Sequence, residues 1–131
     1  MRHILVLLLA LPLAVFCLCG CKEVKIDSGN LGGVYVGNYG TMVETVTVKS
    51  DGTFDQQLTA GDREWHSKGT WKIQPNKLEF FNMYVVFNPA GKLYAEPRLF
   101  SNHIATWVNH EGRRRIVFDI DCGYVVDRKD N

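Results

Sequence analysis

From Glu64 to Ile73 the chain alternates with a period of two. Trp65, Ser67, Gly69, Trp71 and Ile73 fall on one face, and Glu64, His66, Lys68, Thr70 and Lys72 on the other. A strand sends successive side chains to opposite faces, so this segment reads as a strand with one face on a core and one in water. The same period runs through almost everything after Gly33. Val34–Tyr39 and Met42–Lys49 read as two strands. Asp51-Gly52 reads as a hairpin turn, because glycine takes the positive φ that such turns need. Thr53–Ala60 follows with Phe54 and Leu58 on one face, and Gly61-Asp62 and Pro75-Asn76 turn the chain again.

Leu78–Phe87 breaks the pattern, since it is apolar on both faces and one-sided burial cannot satisfy it. The expectation is that Asn88–Asn102, with Leu93, Tyr94, Leu99 and Phe100, folds over its outer side. The alternative is an exposed patch for a partner, a second copy or a membrane surface. His103–Asn109, then Arg113–Ile120 with Ile116, Phe118 and Ile120 inward, then Tyr124–Asp127 complete the strands, with turns at Glu111-Gly112 and Asp121–Gly123. The fold class expected is all-β: one small antiparallel up-and-down β-barrel or meander of about eight strands, closed or packed to protect its edges.

The first twenty residues have a short basic start at Arg2 and His3 and an apolar run over Ile4–Leu18, the length of a signal core and short for a bilayer span. Leu18-Cys19-Gly20-Cys21 then resembles the lipobox of bacterial lipoproteins. That resemblance implies cleavage after Gly20 and acylation of the Cys21 thiol. The protein would then be held permanently on a membrane that it does not span. Lys22 rather than aspartate after the cysteine implies the outer membrane, facing the periplasm. The domain organisation expected is a signal peptide over 1–20, a lipidated tether over 21–32 and a β-domain over 33–128.

Removing residues 1–20 leaves 111 of the 131 residues and takes one cation, Arg2, from the 15 Lys and Arg, leaving 14 against 14 Asp and Glu. Neutrality argues against nucleic acid, which would demand a basic stripe, and none is expected as a partner. The length suits one domain with one core. Cys17 and Cys19 leave with the signal and Cys21 is acylated, so Cys122 has no partner within the chain. It reads as a buried small hydrophobe, with intermolecular pairing or metal and redox chemistry as alternatives.

The search for chemistry returns little. No nucleophile elbow, zinc-protease helix or phosphate loop is present, and the glycines at 32, 33, 37 and 40 flank a strand without a following helix. Asp119 and Asp121 would stand about 6.5–7 Å apart along a strand, a spacing that overlaps inverting glycosidases. They alternate with Ile120 and read as a solvated outer face. His66, His103, His110 and Cys122 lack zinc-ligand spacing. Neither metal nor cofactor is expected, and no enzyme. Arg113 and Arg115 share an outer face with Arg114 turned inward or at the turn. They read as a solvated hairpin end, or as a contact for anionic headgroups or protein. Glu44 and Gln56 share the face of Val46, Val48, Phe54 and Leu58, so they must be paired or wet.

Gly33-Val34-Tyr35, Val46-x-Val48-x-x-Asp51-Gly52-Thr53-Phe54, Gly69-Thr70-Trp71 and Asn76-Lys77-Leu78 together resemble bacterial lipocalin-like lipoprotein domains. The resemblance implies a small β-barrel and a ligand-binding or sensing role in the envelope. The function expected is a non-enzymatic envelope lipoprotein that binds a small or apolar ligand, lined by Glu44, Phe54, Gln56, Trp65 and Trp71. The alternative is an interaction, inhibitor or immunity-type lipoprotein that uses Phe81, Met83, Val85, Phe87, Arg113 and Arg115.

Overall fold

The structure is a computed structural model describing residues 28–75, 77–110 and 112–129. The signal and lipidation readings, including Cys21, lie outside the described residues. A one-turn helix, α1 (Ser28–Leu31), leads into eight strands: β1 (Gly33–Asn38), β2 (Val43–Val48), β3 (Thr53–Ala60), β4 (Arg63–Gln74), β5 (Lys77–Phe87), β6 (Leu93–His110), β7 (Arg113–Asp119) and β8 (Tyr124–Arg128). Each pairs antiparallel with the next, and β8 pairs with β1 through Tyr35 opposite Arg128 and Val36 opposite Asp127. The result is the closed, up-and-down eight-stranded barrel that the alternation predicts. Closure leaves no free edge along the paired registers.

The chain enters through α1 and leaves after β8 at one end of the barrel, called lower here. The turns after β2, β4 and β6 lie at that end, and those after β1, β3, β5 and β7 at the upper end. The Asp51-Gly52 turn forms as its residues dictate: Gly52 has φ 88°, and Asp51 Oδ1 accepts from Thr53 N at 2.9 Å and Thr53 Oγ1 at 2.6 Å.

Side chains from all eight strands meet inside. The lower and larger cluster joins Leu31, Tyr35, Val46, Val48, Phe54, Trp71, Leu78, Phe80, Met83, Ala105, Trp107, Ile116 and Val126. The upper one joins Met42, Leu58, Val85, Val86 and Tyr124, with Tyr39, Trp65, Phe87 and Phe118 packed against it. Burying each large apolar side chain contributes about 1.5–3 kcal/mol. An eight-stranded barrel is just wide enough to be filled in this way.

Four expectations are corrected. Residues 28–31 belong to the domain rather than to a tether: Leu31 is fully buried and its carbonyl accepts from Tyr35 Oη at 2.7 Å. Asn88–Asn102 does not fold over β5: residues 88–92 form the turn and Leu93–Asn102 runs beside β5 as part of one long strand, pairing Met83 with Phe100 and Phe87 with Leu93. Ile120 is exposed, because β7 ends at Asp119 and Ile120 begins the turn. Ile73, at the lower rim, is also partly exposed.

The two-faced apolarity of β5 has another cause. Asn82 has φ 63°, and the register shifts between Val85 and Phe87. These two irregularities re-aim the strand, so that Phe80 and Met83, an odd number of residues apart, are both buried, as are the adjacent Val85 and Val86. Met83 and Val85, expected on an interaction surface, are therefore core residues.

Candidate functional site

The β4–β5 ladder is short. It pairs Thr70–Gln74 with Lys77–Phe81, while β4 above Gly69 pairs with β3 alone. The split starts where Gly69 and Phe81 meet. A Cβ on Gly69 would collide with the Phe81 carbonyl oxygen and stand 2.7 Å from Phe54 Cε1. Above that point β5 leaves the wall and crosses the mouth of the barrel with the start of β6 as a two-stranded ribbon.

Three contacts seat the ribbon. The Phe87 ring packs edge-on against Tyr39 at 5.2 Å and tilted against Tyr124 at 5.4 Å. Gly91, at its tip, lies against Cys122 of the β7–β8 turn. Arg63, beside the β3–β4 turn, reaches Glu96 Oε1 and the Ala95 carbonyl, both at 3.3 Å, and its guanidinium stacks over Trp65 at 5.1 Å.

Beneath the ribbon lies a buried polar network. Gln56 Nε2 donates to Glu44 Oε1 at 2.6 Å and to the Tyr84 carbonyl at 2.9 Å. Its Oε1 accepts from Tyr84 N at 2.7 Å and from Ser67 Oγ at 3.2 Å. Both amide hydrogens are thus used, and the amide oxygen shares the single Ser67 hydrogen with a second acceptor. Ser67 Oγ also lies 2.9 Å from the Asn82 carbonyl, on the other side of the split. The Gln56 amide, projecting from β3, takes the place of the missing ladder and ties β5 to the barrel.

Glu44 is fully buried. Burial raises its carboxyl to about 7 against the opposing pull of hydrogen bonds from Gln56, Tyr39 and Tyr124. The geometry agrees with a retained proton. Tyr39 Oη stands 2.9 Å from Glu44 Oε2 and 3.3 Å from the Val125 carbonyl, yet a phenol has a single hydrogen to give. A proton on Glu44 Oε2 donated to Tyr39 Oη frees the tyrosine hydrogen for Val125, and every contact is then matched. Burial likewise pushes the hydroxyls of Tyr39 and Tyr124 upward.

His103 completes the floor of the mouth. Its ring stacks on Phe118 at 5.3 Å and on Tyr124 at 5.9 Å, and its buried Nε2 has no hydrogen-bond partner among the described residues. Burial lowers its pKa, so the imidazole is neutral near pH 7.

The five residues expected to line a ligand are divided. Glu44, Gln56 and Trp65 lie in the upper half. Phe54 stacks edge-on against Phe80 at 5.2 Å in the lower core. Trp71 Nε1 donates to the carbonyls of Lys49 at 2.9 Å and Thr53 at 3.1 Å, fastening the β2–β3 turn. Of the expected surface residues, Phe81 is half-buried beneath the Lys72 ammonium, 5.1 Å from its ring. Phe87 is in the mouth, Arg113 is exposed, and Arg115 Nε pairs with Asp127 Oδ1 at 2.9 Å.

Asp119 and Asp121 form a turn, with Asp121 N donating to Asp119 Oδ1 at 3.0 Å. Cys122 is half-buried and free, and burial raises its thiol pKa, which disfavours the reactive thiolate. No group of three or more potential metal ligands occurs among the described residues. The sequence reading passed over Tyr39, Ser67, Tyr124 and the Tyr84 backbone. Tyr124 alternates inward with Val126 and was findable; the role of Tyr84 depends on the split at Gly69 and was not.

Compared with protein-family models, curated proteins and solved structures, the chain matches none.

Proposed function

We propose that this protein is a non-enzymatic, lipid-anchored protein of the cell envelope that acts through its outer surface on a protein partner. The observation that carries this reading is the way the barrel is filled. Side chains of every strand occupy its interior, the ribbon crosses its upper mouth, and beneath it Glu44, Gln56 and the Tyr84 backbone bond to one another.

Besides Ile73 at the lower rim and Ile120 in the β7–β8 turn, the exposed large apolar side chains gather on one strand. Leu99, Phe100 and Ile104 are 57%, 40% and 42% exposed, all on β6. Among the described residues β6 finds β7 partners only over Thr106–His110, so the strand above Thr106 offers an unpaired edge beside these side chains. An open edge with apolar flanks suits strand addition by a partner, whose backbone supplies the hydrogen bonds.

A photo-crosslinking amino acid at position 99, 100 or 104 should capture a discrete envelope protein in cells, while the same group at Lys68 should not. Equal capture from all four positions, or from none, removes the reading. A small polar ligand is the second reading, favoured by the unpartnered His103 Nε2 beside Tyr124.

A further inference from the structure

The β7–β8 register places Arg115 opposite Asp127 and Ile116 opposite Val126. The ladder ends there, and below its last pair the chain places Arg114 and Arg113 on β7 and Arg128 and Lys129 at the end of β8. Arg114 and Arg128 alternate inward with Ile116 and Val126, and both reach the Asn30 carbonyl of α1, at 3.2 and 3.5 Å. Arg113 and Lys129 are exposed. Among the described residues none of these four cations has a carboxylate within ion-pair distance, whereas Arg115, one step higher, has Asp127.

The rest of the lower end adds to the block. Lys77 is exposed at the β4–β5 turn, and Lys49 is paired with Asp55. Asp51 is the described acid in the lower turns, its carboxylate turned to Thr53. Glu111 and Asp130 are the acidic neighbours in sequence. The upper end carries the opposite balance: Asp62, Glu64, Glu96, Asp119 and Asp121 against Arg63, Lys92 and Arg98, all exposed. A chain without net charge after residue 20 is therefore polarised along its barrel axis. The lower end is also where the chain enters. Cys21 precedes Ser28 by seven residues, a reach of about 25 Å at most when extended.

We propose that the lower end docks flat on an anionic phospholipid surface, with Arg113, Lys129 and Lys77 against the headgroups and Arg114 and Arg128 directly behind. The occupant follows from the basic block and from the entry of the described chain through α1 at that same end. The orientation rests on the anchor reading and directs the upper end and the exposed β6 edge away from the membrane. Each basic residue near such a surface is worth about a fivefold change in association, weakened by salt.

The processed full-length protein would be reconstituted into vesicles of phosphatidylcholine, with and without about 30% phosphatidylglycerol, the anionic lipid that basic residues should recognise. Backbone hydrogen exchange would be followed turn by turn. The expected result is slower exchange at residues 112–114 and 128–129 in the anionic vesicles alone, reversed by salt. R113Q/K129Q, which changes two exposed side chains, should weaken docking about 25-fold. Protection that ignores lipid charge, or that falls on the upper turns, would overturn the proposal. The mass of the N-terminal peptide reports acylation of Cys21 separately. If it is bare, sedimentation with anionic vesicles decides: binding lost in R113Q/K129Q sustains the docking, and no binding refutes it.

Discussion

Gln56 and Tyr84 sit on β3 and β5, strands that are not neighbours, yet the side-chain amide of one pairs with both backbone groups of the other. The two bonds, 2.9 and 2.7 Å long, have the form of a bridge in a ladder. They span the gap that opens above Gly69 and let β5 cross the mouth without leaving its N–H and C=O unsatisfied.

Replacing Gln56 by leucine keeps most of the volume and strands the Tyr84 amide, while the Tyr84 carbonyl keeps Tyr124 Oη and Glu44 keeps Tyr39. A buried unsatisfied group costs about 1–3 kcal/mol and the bonds lost by Tyr84 and Glu44 add to it, so Gln56→Leu should lose about 2–4 kcal/mol in chemical denaturation. Exchange of the Tyr84 amide should accelerate more than that of amides in β2. A change of less than about 1 kcal/mol would mean that the bridge does not hold the ribbon.

Glu44 gives stability a pH dependence of unusual sign. The unfolded carboxyl releases its proton near 4.5, whereas the folded one keeps it to about 7. Between those values the native state binds more protons, so Glu44 lowers stability as pH rises, by an amount on the order of 3 kcal/mol once past 7. His103 acts oppositely, losing stability as pH falls below its ordinary value, because the folded ring resists protonation. Comparison with Glu44→Gln cancels the histidine. The variant should match the parent near pH 4.5 and exceed it at pH 8, measured by urea titration at each pH.

Two glycines should respond differently to a methyl group. Gly112 has φ 76° with open space around it, so Gly112→Ala should cost only the backbone penalty, about 1–2 kcal/mol. Gly69 has no room, and the obstruction is the Phe81 carbonyl. Gly69→Ala must push β5 away from β4 and should cost about 3 kcal/mol or more, or prevent folding. Thermal unfolding of the two variants makes the comparison.

Trp71 fastens a turn as well as filling the core. Trp71→Phe keeps an aromatic ring and removes the donor shared by Lys49 and Thr53, for an expected loss of about 1–2 kcal/mol. Exchange of the Lys49 and Gly52 amides should rise with it.

The alternation of Glu64–Ile73 and the Asp-Gly, Gly-Asp and Glu-Gly turns are local signals, and they were sufficient to read an up-and-down barrel, because hairpins join each strand to the next. Period-two reading also placed Glu44 and Gln56 on one inward face, where the structure joins them by a 2.6 Å hydrogen bond. It failed where the backbone departs from a plain strand. The positive φ of Asn82 and the shift after Val85 turned residues of both faces into core, so Met83 and Val85 resembled a surface. The meeting of Arg114 and Arg128 at the Asn30 carbonyl was equally hidden, since it brings together segments far apart in sequence.

The claim that this barrel works from its outside is tested most directly by native mass spectrometry of residues 22–131, a segment that contains every strand, exported and purified without detergent. A filled interior should give a bare protein mass and no uptake of added fatty acids or apolar dyes. A stoichiometric additional mass that disappears on denaturation would contradict it and return the function to the barrel interior.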